Sequence, residues 1–109
     1  LERISREVGV PIINFGHAGD GNIHVNVMVD LAEEGMQEKV DRALEEIFRA
    51  TLKLGGTISG EHGIGTTKAP YLGMELNDPT IQYMWIIKKA LDPNNILNPG
   101  KIFGFSGNE

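Results

Sequence analysis

Three histidines and one glutamate carry most of the chemistry available to this chain. His17 and His24 flank the glycine-rich segment Gly16 to Asn22 (GHAGDGN), and Glu61 and His62 sit together in a second one, Gly60 to Gly65 (GEHGIG). A single histidine on a strand is ordinarily a hydrogen-bonded structural residue. Two that flank one turn, with a Glu-His pair in a second glycine loop, suggest one polar site that holds a divalent metal beside a proton-transferring base. Two neutral imidazoles and one carboxylate make a three-ligand set with positions left open for water or substrate, the pattern of catalytic metal sites. Glu61 is the natural third ligand. Asp20 is the competing carboxylate, although in a loop it equally suits bonding to nearby amides and holding the turn. His62 is assigned to proton transfer because imidazole titrates near neutral pH, and the reverse assignment of Glu61 and His62 stays open. Adjacent side chains on a regular strand point to opposite faces, so both can serve one site only if the backbone turns there, which Gly60, Gly63 and Gly65 permit.

Placing these residues requires a hairpin. Pro11 to Phe15 (PIINF) is an apolar run suited to a strand, and Ile23 to Val29 (IHVNVMV) alternates at period two. The second strand is expected to turn Ile23, Val25 and Val27 to the core and His24, Asn26 and Met28 to the other face. Asn26 then shares the face of His24, where its amide could hydrogen-bond a substrate or a neighbouring strand. Leu1 to Val8 reads as the end of a helix stopped by Gly9, with no N-cap before it, so the sequence is expected to be a fragment lacking its upstream part. A longer helix is expected from Glu33 to about Leu54, with Met36, Val40, Leu44, Ile47 and Phe48 on its inner face. Thr57 to Ser59 suits a third short strand, Thr66 to Met74 a short helix broken by Pro70, and Asp78-Pro79 the N-cap and first turn of a helix that runs to Leu91. Met74, Met84, Trp85 and Ile87 are read as packing residues.

Composition narrows the function. At 109 residues there is room for one small core. Hydrophobic residues at 40% and charged residues at 23% are ordinary for a globular chain, and no apolar run is long enough to cross a bilayer. Ten Lys+Arg against fifteen Asp+Glu disfavour nucleic acid as a partner. The absence of cysteine removes disulfides, thiolate catalysis and Cys-ligated metals, and suits a reducing compartment. GEHGIG lacks the Lys-Ser or Lys-Thr of a P-loop, and Ser59 lacks a G-x-S-x-G context.

Three segments in order, GHAGDGNIHVN (Gly16 to Asn26), SGEHGIGTTK (Ser59 to Lys68) and DPNNILNPGKIF (Asp92 to Phe103), give the chain a resemblance to the C-terminal cap of FAD-linked oxidases. That family includes the flavin subunit of glycolate oxidase, D-lactate dehydrogenase and D-2-hydroxyglutarate dehydrogenase. The resemblance implies an α+β fold, an antiparallel sheet with packed helices, with residues 1–109 forming the latter half of a ferredoxin-like cap whose FAD-binding domain is absent. It implies His17, His24 and Glu61 as ligands of zinc, iron or manganese, His62 as catalytic base, Asn26 as a substrate contact, and Asn98 and Lys101 as cofactor contacts. Pro99-Gly100 also has a sufficient reading as a plain turn. Oxidation of a small 2-hydroxy acid by FAD is the implied activity, with a quinone or an electron-transfer protein as acceptor. A cytoplasmic location is expected, with a peripheral seat on the inner membrane as an alternative. A non-enzymatic metal-binding α+β module and a metal-dependent hydrolase are the competing readings. The isolated chain, expected to be inactive alone, should expose apolar surface around Ile102, Phe103 and Phe105 and self-associate through it.

Overall fold

The computed structural model describes residues 1–103. The chain forms two compact units that divide between Glu61 and His62. Among the described residues they contain four α-helices and one two-stranded antiparallel sheet, an α+β fold as expected.

The first unit begins with α1 (Glu2–Val8), which ends at Gly9 in the left-handed conformation (φ 77°) with its N–H bonded to Ser5 O. Strands β1 (Ile12–His17) and β2 (Asn22–Val27) then form the hairpin, and α2 (Met36–Lys53) follows. The helix starts later than Glu33. Asp30 Oδ1 accepts the Ala32 amide at 3.0 Å, which makes an Asx turn, and Gly35 enters the helix at φ 74°. The core consists of Ile4, Val8 and Val10, Ala43 and Ile47 from α2, with Ile12, Val25, Val27, Val29, Met36 and Ala50 packed against it. The spacing of Met36, Ala43, Ile47 and Ala50 is that of one helical face. Ala43 is fully buried, so the small side chain marks a close approach that a search for large apolar residues passes over.

The strand register pairs Ile12 with Val27, Phe15 with His24 and His17 with Asn22. Val25 and Val27 therefore face the core as expected, whereas Ile23, on the same face but opposite Gly16 at the loop end, remains 60% exposed. Thr57 to Ser59 forms no strand. The Thr57 hydroxyl donates to Ser59 O at 2.7 Å and occupies an acceptor that a sheet would use, while Ile58 alone is buried.

In the second unit a 3₁₀ turn (Ala69–Tyr71) leads into the one-turn helix α3 (Leu72–Glu75), and α4 spans Asp78–Leu91. The N-cap of α4 is Asn77, one residue before the expected Asp78: its Oδ1 accepts from Thr80 N at 3.0 Å and from the Thr80 hydroxyl at 2.7 Å. Met74, Met84 and Trp85 are partly buried, and Trp85 meets Phe103 edge-on at 5.2 Å. Ile87 is 59% exposed, in a stripe with Tyr83 and Leu91, and so is not a packing residue of this unit. Ile102 and Phe103 are partly buried, which places the larger exposed apolar surface on α4 and at Ile96 and Leu97. Phe105 lies outside the described residues. After α4, the buried Asp92 carboxylate organises the tail by accepting from Lys88 Nζ, from Ile96 N at 3.1 Å and from Leu97 N at 3.0 Å. Among the described residues no helix is long and apolar enough to cross a membrane.

Candidate metal centre

The hairpin loop is closed by backbone hydrogen bonds, Asp20 N to His17 O at 3.1 Å and Gly21 N to Ala18 O at 3.3 Å. Asp20 contributes through its amide; among the described residues its exposed carboxylate neither bonds an amide nor joins the histidines.

The tight turn brings His17 and His24 onto one face, the one opposite the core. His17 faces Asn22 directly and His24 diagonally, with the two rings edge-on at 6.0 Å between centroids. Glu61 completes the group: His24 Nε2 stands 3.1 Å from Glu61 Oε1, and one ligand atom from each of His17, His24 and Glu61 lies within 4.8 Å of the others. Ligands around one ion at zinc–nitrogen distances of about 2.0–2.1 Å lie roughly 3.3 Å apart. The His24–Glu61 pair, at 3.1 Å, is close to that spacing, and the His17 ligand atom lies within 4.8 Å of both. Two imidazoles and a carboxylate on an open face fit a catalytic type of divalent ion site.

Two glycines make the geometry possible. A Cβ on Gly16 would stand 2.1 Å from Asn22 O, and one on Gly60 would stand 2.2 Å from Asn22 Oδ1. Gly16 thus allows the strands to close beside the histidines, and Gly60 allows the segment before Glu61 to lie against the hairpin. Phe15 stacks on the His24 ring at 5.0 Å and 19°, leaving only 18% of that side chain exposed. Phe15 and Asn22 are the positioning residues that reading single motifs misses. The register reveals them, because Phe15 precedes His17 by two and opposes His24.

Asn26 lies on the same face as His24, as the period-two alternation expects, and is exposed. Around it Ile13, Phe15 and Met28 are each more than half exposed, so the polar cluster has an apolar surround. His62 opens the second unit as an exposed residue on an irregular segment, with Gly63 (φ 79°) and Gly65 (φ 57°) turning the backbone after it. Asn98 to Lys101 is a turn in which Lys101 N donates to Asn98 O at 3.3 Å, with Gly100 at φ 79°.

Comparison with known proteins adds the decisive observation. The family described as FAD linked oxidases, C-terminal domain, matches residues 1–102. The chain belongs to that family. Among curated relatives, the glycolate oxidase subunit GlcD of Bacillus subtilis (strain 168) is 49% identical over 94% of this chain and 22% of its own length. The mitochondrial D-lactate dehydrogenase [cytochrome] of Arabidopsis thaliana is 45% identical over 81% of the chain and 16% of its own length. The D-2-hydroxyglutarate dehydrogenase of Stutzerimonas stutzeri (strain A1501) is 42% identical, over 84% and 20%. The chain spans about a fifth of the length of these relatives. As a FAD linked oxidase C-terminal domain, it carries its histidine and glutamate cluster in a family of redox enzymes.

Proposed function

We propose that this chain is the metal- and substrate-holding part of a flavin-dependent 2-hydroxy acid oxidoreductase, whose FAD is held by sequence outside these 109 residues. The observation that carries the reading is the convergence of His17, His24 and Glu61 in a FAD linked oxidase C-terminal domain. The relatives are named for glycolate, D-lactate and D-2-hydroxyglutarate, all small 2-hydroxy acids.

His17, His24 and Glu61 would hold a zinc, iron or manganese ion. Such an ion supplies Lewis acidity to a substrate carboxylate and 2-hydroxyl, and FAD supplies the two-electron acceptor for the C2 hydrogen. Asn26, on the same face as His24, offers an amide that fixes the orientation of the acid. The His62 imidazole takes the proton of the 2-hydroxyl as the acid becomes a 2-oxo acid. The exposed Ile13, Phe15 and Met28 exclude water from the reacting carbon once covered. Asn98 and Lys101 lie on the turn that would face the cofactor, and a quinone or an acceptor protein would supply the electron acceptor; the name of the Arabidopsis relative includes a cytochrome.

The test is a panel of D- and L-2-hydroxy acids with an artificial electron acceptor, on a flavin-loaded polypeptide that includes this chain. Turnover of a D-acid that falls by about 10²–10⁴-fold in His62→Ala is the expected result. Unchanged turnover in that variant removes His62 as base. Turnover of esters or amides by a flavin-free, metal-loaded protein contradicts the redox assignment.

A further inference from the structure

In the second unit the glycine loop after His62 and Lys101, at the end of the later turn, bound one open cleft of about 400 Å³, lined by His62, Thr66, Thr67, Lys68 and Lys101 among others. Among the described residues no carboxylate lines it. Neither Lys68 nor Lys101 has an ion-pair partner among the described residues, although Asp+Glu outnumber Lys+Arg in the chain.

The two walls are fastened together. Ile102 N donates to Gly65 O at 2.6 Å, and this bond holds the residue after Lys101 against the loop that carries Lys68. Ile102 accepts φ 68° to make it, a left-handed backbone that is a genuine outlier for a β-branched residue. Strain of this kind persists where the surrounding structure over-determines it, and such positions cluster at binding sites. Gly63 and Gly65, also at positive φ, line the same cleft.

We propose that this cleft binds an oxyanion, with the ammonium groups of Lys68 and Lys101 on its two sides and the hydroxyls of Thr66 and Thr67 as further donors. Two lysines on separate loops give point charges that accept either a carboxylate or a phosphate. The source of the oxyanion rests on the oxidoreductase reading: it is either the diphosphate of a flavin dinucleotide or the carboxylate of a 2-hydroxy acid. Lys68 belongs to this cleft together with Lys101, and the grip depends on the backbone link at Ile102.

The experiment is a metal-free NMR titration of the ¹⁵N-labelled chain with inorganic pyrophosphate and, separately, with D-lactate, at ionic strength held constant with sodium chloride. Saturable amide shifts confined to residues 62–68 and 98–102 are expected. Affinity should fall at least tenfold in Lys68→Gln and in Lys101→Gln, return in Lys68→Arg, and stay unchanged in Lys39→Gln, an exposed lysine on α2. Tighter binding of pyrophosphate identifies the oxyanion as a cofactor phosphate, and tighter binding of D-lactate identifies it as a substrate carboxylate. No saturable shift with either anion, or equal affinity in the Lys68→Gln/Lys101→Gln double variant, overturns the proposal. Because no metal is present, this outcome is independent of whether His17, His24 and Glu61 bind an ion.

Discussion

Gly16→Ala is the substitution whose effect follows most directly from the hairpin geometry. The added Cβ would stand 2.1 Å from Asn22 O, 2.8 Å from Ile23 Cα and 3.0 Å from Asn22 C, all short of the 3.4 Å at which ordinary contact begins. All three obstacles are backbone atoms of β2, so no side-chain rotation relieves them and the strands must part. The register then loosens at His17 and His24, which flank the obstruction. Overpacking of this kind costs about 1–3 kcal/mol. With a urea m-value of roughly 1–3 kcal/mol/M for a small domain, the midpoint should fall by an amount on the order of 1 M. Gly73→Ala is the control: it lies in α3 with nothing within 4 Å of its added Cβ, and should be neutral or stabilising by up to about 1 kcal/mol. Urea denaturation followed by circular dichroism reads both. A Gly16→Ala chain as stable as the wild type, or a Gly73→Ala chain that loses more, refutes the reasoning.

Two further outcomes concern the second unit. Asn77→Ala removes the acceptor for Thr80 N and the Thr80 hydroxyl, and should cost about 0.5–2 kcal/mol in the same denaturation experiment, while Asn77→Asp should keep most of the stability. The hydrogen bond from Lys88 holds the Asp92 carboxyl below its ordinary value of 3.8 against the opposing push of burial, and the Ile96 and Leu97 amides lower it further. The stabilisation from Asp92 is therefore complete above pH 3.8 and is lost as pH falls through the lower folded value. Thermal melts across this acid range should show that loss in the wild type and a flatter profile in Asp92→Asn.

Much of the site was legible because a hairpin converts sequence spacing into proximity. His17 and His24 bracket a turn, period-two alternation puts His24 and Asn26 on one face, and the glycines near Glu61 mark a backbone that can approach closely. The positions that escaped reading depend on competition between neighbours. Thr57 suits a strand, yet its hydroxyl bonds Ser59 O; Asp78 suits a cap, yet it is Asn77 that accepts from Thr80. Ile23 follows the alternation but lies where the core has ended. An apolar residue on a helix suggests packing at Ile87, whereas Tyr83, Ile87 and Leu91 form an exposed stripe. Apolarity indicates that a residue is to be covered, and the sequence does not say by what.

Calorimetric titration of the metal-free chain with zinc tests the proposed metal-binding group of His17, His24 and Glu61 most directly. One saturable equivalent is predicted for the wild type. In His24→Ala the affinity should drop by more than the roughly 10–100-fold that changes beyond the ligands themselves produce. Absence of saturable binding in the wild type, or equal affinity in His24→Ala, contradicts the account.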